Sequence, residues 1–419
     1  MMGRKIITAK EKQVVLQNFL SLSSLQGINY LLPLLILPYL VRTIGPDKFG
    51  LIAFAQAFVQ YFMILTDYGF SLSATRKISL CQANKKKVCA IFSSVMTVKL
   101  LLAGISFLIL LAVIHLVPKF RQDWLVYVLS FPAVIGNTLF PVWFFQGKEK
   151  MAYISRINII GGLIYVISII AFVRAPADFL FVPLLTSLFF LAAGISGLYI
   201  AFRKFGLEFS FQTYGDIQKE LKAGWSIFIS TVAINAYTAT RVFAVGLLTN
   251  NTLTGYYAIA ERIAAFIRAF PLDSLSQAIY PRLNKIFLKN KKRAIKLMHK
   301  IQDATTLGYI ISLPFVFYFS SSIVSIICGK AYPEVIMALR LLLPAVFFVG
   351  ANAFRVQFLL VGGRADLYSK LHVTAALAGL PLIFFLIYCF SYLGAALSTV
   401  IIEAGVIIAT LKIVRRYIA

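Results

Sequence analysis

Long, uninterrupted apolar runs constrain this chain more than any other feature. A helix needs roughly 20 mostly apolar residues to cross the about 30 Å hydrocarbon layer of a bilayer. Reading for such stretches gives twelve, near 14–41, 49–72, 90–117, 124–146, 154–173, 179–202, 225–249, 254–280, 302–328, 335–361, 370–390 and 393–414. The joins near 44–48 and 391–393 are tight, so eleven or thirteen spans stay open. The runs are continuous rather than alternating with a period of two, which excludes a transmembrane β-barrel. Each is therefore predicted to be a helix that satisfies its own backbone hydrogen bonds. Composition agrees, with 60% hydrophobic residues, 13% charged residues and a mean hydropathy of +0.85. Soluble chains run at about 45–50% apolar and about 25% charged, so a soluble enzyme, a disordered tail and a fibrous repeat are excluded.

The net charge of +26 would suggest a nucleic-acid partner on a soluble chain, and its distribution removes that reading. With the N-terminus inside, 29 of the 41 Lys and Arg fall on inner segments and six on outer ones. The inner set includes Arg4 and Lys5, Arg76 and Lys77, Lys85 to Lys87, and Arg282 through Lys300; the outer set is Arg42, Lys48, Lys119, Arg121, Arg174 and Lys330. Such asymmetry places both termini in the cytoplasm, and no nucleic-acid partner is expected. The first span is too long for a signal-peptide core, and Met2 separates Gly3 from the initiator, so myristoylation is not expected. Cys81, Cys89, Cys328 and Cys389 lack metal or redox spacing, and three His are scattered, so no metal or cofactor is expected. Outer connections are too short for a catalytic domain. No H-E-x-x-H, G-x-S-x-G or P-loop pattern occurs, and no acid pair stands in a loop; an enzyme is not expected.

The halves resemble each other. Phe49-Gly50-Leu51-Ile52-Ala53-Phe54-Ala55 matches Thr254-Gly255-Tyr256-Tyr257-Ala258-Ile259-Ala260 at an offset of 205, and Asn137, Gly147 and Tyr153 match Asn352, Gly362 and Tyr368 at 215. This predicts an all-α, polytopic inner-membrane protein of about 12 helices, in two six-helix lobes related by a pseudo-two-fold along the membrane normal. The lobes would be residues 1–202 and 225–419, joined by a basic cytoplasmic linker at 203–224.

Six basic residues remain within spans: Lys99, Arg241, Arg262, Arg268, Arg340 and Arg355; the embedded acids are Glu261, Asp273 and Glu403. Charge at that depth is expensive and faces a bundle interior or an aqueous cavity. On the eighth span, Glu261 and Arg268 share one stripe, and Arg262 and Asp273 another about 100° away. Two readings stand. The charges pair with one another, Glu261 with Arg241 or Arg340 and Asp273 with Arg355. Alternatively Arg268, Arg241 and Arg262, with Arg355 and Lys99, line a cationic cavity whose guanidinium forks grip an anionic head group. Cations outnumber embedded acids six to three, so pairing cannot neutralise them all. Glu403 stands alone mid-span, as a coupling site for a cation or proton or as a hydrogen-bonded structural acid. Prolines in many spans, such as Pro38, Pro271 and Pro344, bend helices and suit a rocking transporter.

Leu25-Gln26-Gly27-Ile28-Asn29-Tyr30-Leu31-Leu32-Pro33, then Pro38-Tyr39-Leu40-Val41-Arg42 and Gly45-Pro46 before Phe49-Gly50, resemble the first two helices of O-antigen flippases of the Wzx type. These belong to the multidrug/oligosaccharidyl-lipid/polysaccharide exporter superfamily. Asp67-Tyr68-Gly69-Phe70, Gln146-Gly147-Lys148-Glu149-Lys150-Met151 and Gln277-Ala278-Ile279-Tyr280-Pro281-Arg282 extend the likeness. Gln26, Asn29, Tyr30, Arg42, Asp67 and Arg76 carry the signature, and packing or gating suits them better than sugar contact. The resemblance implies a flippase that moves undecaprenyl-pyrophosphate-linked oligosaccharide from the cytoplasmic to the periplasmic leaflet by alternating access. It also implies a polysaccharide polymerase and a chain-length regulator as partners in the pathway. A multidrug exporter of the same superfamily is the alternative, and a membrane polysaccharide polymerase the next.

Overall fold

The computed structural model describes the backbone of residues 9–210 and 213–418; side chains are described from residue 33 to 416, except 211–212 and scattered positions concentrated between 270 and 289. Among the described residues every regular element is helical. Eight helices among the described residues are long and apolar enough to cross a membrane, or up to ten if each of two bent pairs is one span. The helix Asn251–Lys289 is not among them, because Glu261, Arg262 and Arg268 interrupt its apolar run.

The apolar stretch Pro33–Leu80 is 48 residues long, which at about 1.5 Å per residue exceeds twice the hydrocarbon thickness. It is broken at Gly45, whose φ of 75° and ψ of 166° leave the helical region. A side chain disfavours that φ, and Pro46 keeps the residue before it out of the α region. The Gly45-Pro46 pair thus separates two helical segments within Ala9–Asp67.

The chain divides into two compact units. One comprises Met1–Asn29, Val59–Phe172 and Leu180–Ile229. Its core is aromatic: Phe92, Trp143, Phe144 and Phe145 are 1% exposed or less, and Phe144 meets Phe205 edge-on at 5.2 Å. Tyr68 stacks on Phe228 at 4.5 Å. On the same unit Lys77 donates to Glu220 at 2.7 Å, tying the helix Phe70–Leu80 to Tyr214–Thr238.

The other unit comprises Tyr30–Phe58, Val173–Phe179 and Ser230–Ala419. Here Ala9–Asp67 and Asn251–Lys289 approach at the two glycines matched by the sequence repeat. A Cβ on Gly50 would lie 1.8 Å from the Asn251 carbonyl oxygen, and one on Gly255 would lie 2.0 Å from that of Pro46. Only glycine permits that approach. Beside them Thr252 donates to Asp47 at 3.2 Å, another pair separated by 205 positions. Phe54 stacks on Phe243 at 5.3 Å, and Asn251–Lys289, Pro333–Gly350 and Tyr392–Ile418 pack together behind this contact.

Candidate functional site

A cavity of about 490 Å³ lies within the second unit, inside the roughly 300–1,000 Å³ range of ligand sites. It opens beside the helix break at Ala239, between Tyr214–Thr238 and Thr240–Leu248. Thr238 and Ala239 at the break, Arg241, Glu261, Arg262, Arg268, Thr399 and Glu403 supply its walls, with Leu342, Ala345 and Val346 as an apolar side. Glu261, Arg262 and Arg268 all reach it, so both charged stripes of Asn251–Lys289 contribute to one cavity. Helical periodicity placed them about 100° apart, and a cavity in a multi-helix cup spans such an arc.

Arg241 is the most buried of these charges, 7% exposed. Its Nη2 and Nε lie 3.1 Å from Glu261 Oε1, and Nη1 donates to the Tyr237 carbonyl at 3.3 Å. Arg262 donates to the Gln56 side-chain carbonyl at 2.9 Å and sits over the Phe49 ring at 4.8 Å. Arg268 is half-buried; its backbone carbonyl accepts from Tyr309 at 2.8 Å, while no described carboxylate lies within ion-pair distance of its guanidinium. Glu403 likewise has no ion pair among the described residues. Three arginines against two glutamates leave the lining formally cationic by one. Arg241 and Glu261 largely cancel, so Arg268 is the guanidinium most available to an incoming anion. A fork of N–H donors suits phosphate oxygens.

Five of the in-span residues predicted from sequence thus line one cavity, while Arg355 and Arg340 of the same unit are not among its lining residues. Arg355 is outside the lining and donates to the Ala351 carbonyl one turn back. Lys99 belongs to the first unit, 2% exposed. Arg340 donates to Ser320 at 2.8 Å and covers the Phe317 ring. The side chains of Asp273, Gln26, Asn29 and Tyr30 lie outside the described residues. Arg42 donates to the carbonyls of Ile326 and Ile327, capping the C-terminal end of Ser320–Cys328, where a cation complements the helix dipole. Asp67 is half-buried at the end of its helix and Arg76 is exposed. The four cysteines are free, and no group of three metal-capable side chains occurs among the described residues.

Sequence reasoning passed over Gln56 and the pair Tyr237–His372. Gln56 is a polar residue in an apolar run, a usable signal. Tyr237 and His372 are 135 positions apart and their hydrogen bond of 2.7 Å leaves no trace in local spacing.

The profile of the polysaccharide biosynthesis protein family matches residues 15–287. The chain is 32% identical to a protein of Escherichia coli K12 named "Putative O-antigen transporter", over 95% of this chain and 96% of that one. It is 27% identical to a Shigella dysenteriae protein of the same name, over 95% of this chain and all of the other. Among solved structures it is similar to the lipid II flippase MurJ in an inward closed conformation, with a TM-score of 0.73 at 14% identity over 94% and 87% of the two chains. An inward-facing multidrug resistance transporter of the MATE family, from the MOP superfamily, superposes with a TM-score of 0.71 at 13% identity over 94% of each chain. The chain therefore belongs to the polysaccharide biosynthesis protein family and has the helical membrane fold of the MOP superfamily.

Proposed function

We propose that this protein is a flippase that carries undecaprenyl-pyrophosphate-linked oligosaccharide from the cytoplasmic to the periplasmic leaflet. It is a multi-pass membrane transporter and not an enzyme, and the finer reading builds on that. The observation that carries it is Arg268, a guanidinium on a cavity wall inside the helical bundle with no described carboxylate within ion-pair distance. A cation so placed is costly, and a diphosphate that enters during transport offsets the cost. Arg262, held by Gln56 and Phe49, supplies a second, pre-oriented fork, and Arg241 is braced by Glu261. The names of the E. coli and S. dysenteriae relatives agree with this cargo class.

In this reading the chain crosses the bilayer twelve times with both termini in the cytoplasm, as the 29-to-6 charge asymmetry supports. Its two repeats are 1–202 and 225–419, joined by 203–224. The contacts Gly50–Gly255 and Asp47–Thr252, each at an offset of 205, are what a duplicated unit produces near its symmetry axis. A pathway polymerase and chain-length regulator would take the product on the far side. A cationic-drug exporter would need an acidic lining, and three arginines against two glutamates weigh against it.

The test replaces Arg268 with Ala and, separately, Lys in a strain whose surface polysaccharide depends on this chain. Arg268→Ala is expected to abolish display and Arg268→Lys to retain part of it, at normal protein levels. Full display with both variants removes Arg268 from the mechanism. In the deletion strain lipid-linked repeat units should accumulate on the cytoplasmic face; single units capping the exported product would instead indicate a polymerase.

A further inference from the structure

His372 is 9% exposed on the helix Ala365–Phe390, within an apolar span. Its Nδ1 shares a 2.7 Å hydrogen bond with the Tyr237 hydroxyl, and its Nε2 has no hydrogen-bond partner among the described residues. The Tyr237 ring lies parallel to the imidazole at 6.1 Å, and Tyr368, one turn back on the same helix, meets it edge-on at 4.5 Å. A buried ring nitrogen left open in a membrane span carries a desolvation cost of about 1–3 kcal/mol, which a structural hydrogen-bonded histidine would avoid.

The pair sits directly behind the cavity. The residues after Tyr237, Thr238 and Ala239, form part of the cavity wall, and the Tyr237 carbonyl accepts from Arg241. The Tyr237 hydroxyl is within electrostatic reach of Glu403, Arg241 and Arg268. The ionisable groups around the pair are therefore Arg241 from Thr240–Leu248, Glu403 from Tyr392–Ile418 and Arg268 from Asn251–Lys289, with Tyr368 on the same helix. Two arginines and one glutamate share the cavity side of this set.

We propose that His372 and Tyr237 form a proton-binding site behind the cavity, whose occupancy is linked to the charge the cavity holds. In the empty site Nδ1–H donates to the Tyr237 oxygen and the Nε2 lone pair is open. One proton from water reaching the cavity binds Nε2, giving an imidazolium that keeps its bond to Tyr237. Arg241 and Arg268 oppose that added charge and Glu403 favours it. An anion entering the cavity offsets the arginines, so it tightens proton binding, and by linkage the proton tightens anion binding by the same factor. Cargo loading then takes up a proton that release returns. Only the identity of the anion rests on the function proposed above.

The chain has three histidines, so His115→Gln with His299→Gln leaves His372 as the sole imidazole. The protein, labelled with 15N-histidine and reconstituted in lipid nanodiscs, is titrated from pH 5 to 9 by NMR. The ring is expected to titrate in that range. Arg268→Gln should raise the midpoint and Glu403→Gln lower it, each by about 0.5 pH unit, or roughly threefold in proton affinity; Tyr237→Phe, which keeps the ring, should change the Nδ1 resonance. A ring that stays neutral throughout, or a midpoint unmoved by both charge variants, overturns the proposal. Inorganic pyrophosphate at millimolar concentration should raise the midpoint. If the charge variants act and pyrophosphate does not, the proton site stands and the pyrophosphate cavity falls.

Discussion

The pair Arg241–Glu261 offers the sharpest test of how the cavity is held together. Its side chains are 9% and 23% exposed with N–O distances of 3.1 Å. At an effective dielectric of about 20, charges so close attract by about 5 kcal/mol, most of which repays their removal from water. The net pair is therefore worth little against a neutral isostere, but breaking it from one side is not. Glu261→Gln strands a cation that is 7% exposed, and the expected loss is about 2–4 kcal/mol, slightly under the fully buried range of about 3–5 because the cavity admits water. With an unfolding entropy of roughly 0.9 kcal/mol/K for a chain of this length, Tm falls by about 2–4 °C. Arg241→Gln strands Glu261 and costs a similar amount. The double variant removes both charges and should be more stable than the sum of the singles by about 2 kcal/mol. The assay is thermal unfolding of the detergent-purified protein, each variant compared at equal loading. Singles and double that add to within about 0.5 kcal/mol would refute the claim that the two charges hold each other, and would return Arg241 to the set free to grip cargo.

Three further outcomes are expected. Gly50→Ala should sharply reduce folded protein, because its Cβ would fall 1.8 Å from a backbone oxygen that cannot swing aside; the cost exceeds the about 3 kcal/mol of ordinary overpacking, whereas Gly308→Ala, with nothing within 4 Å, should be silent in the same expression assay. Arg42→Met should lower Tm by about 1 °C through loss of the carbonyl cap on Ser320–Cys328, read by thermal unfolding, and a larger flipping defect than stability defect would mark a gating role. The hydrogen bond from Thr213 and the nearby Lys219 hold the Asp216 carboxyl below its ordinary value of 3.8. Its contribution is therefore fully present above that value and is lost as pH falls through the lower folded one. Amide exchange at the start of Tyr214–Thr238 should accelerate only in that acid window, and acceleration already at pH 5 would contradict the sign.

Much of the fold was legible in the sequence because its determinants are local. Twenty apolar residues in a row need no partner to be a membrane helix, and Gly45-Pro46 announces a break by its own dihedral limits. The repeat at 49–55 and 254–260 was equally visible, and its glycines turned out to touch. The cavity was legible only in part. That Glu261, Arg262 and Arg268 avoid lipid follows from the cost of charge in hydrocarbon. That Arg355 stands outside the cavity lining does not, since the same cost is met by bonding to a carbonyl.

What the sequence determined by itself is thus the class of object: an all-helical chain in a bilayer, with a handful of embedded charges requiring explanation. The tertiary structure decided which charges meet. Arg241 finds Glu261 20 positions away, Arg262 finds Gln56 at 206, and Tyr237 finds His372 at 135. Helical periodicity fixes the direction a side chain points along its own axis, but its partner depends on the rotation and depth of neighbouring helices. Those are set by packing at sites such as Gly50 and Gly255, where two backbones close to within the width of a missing methyl group.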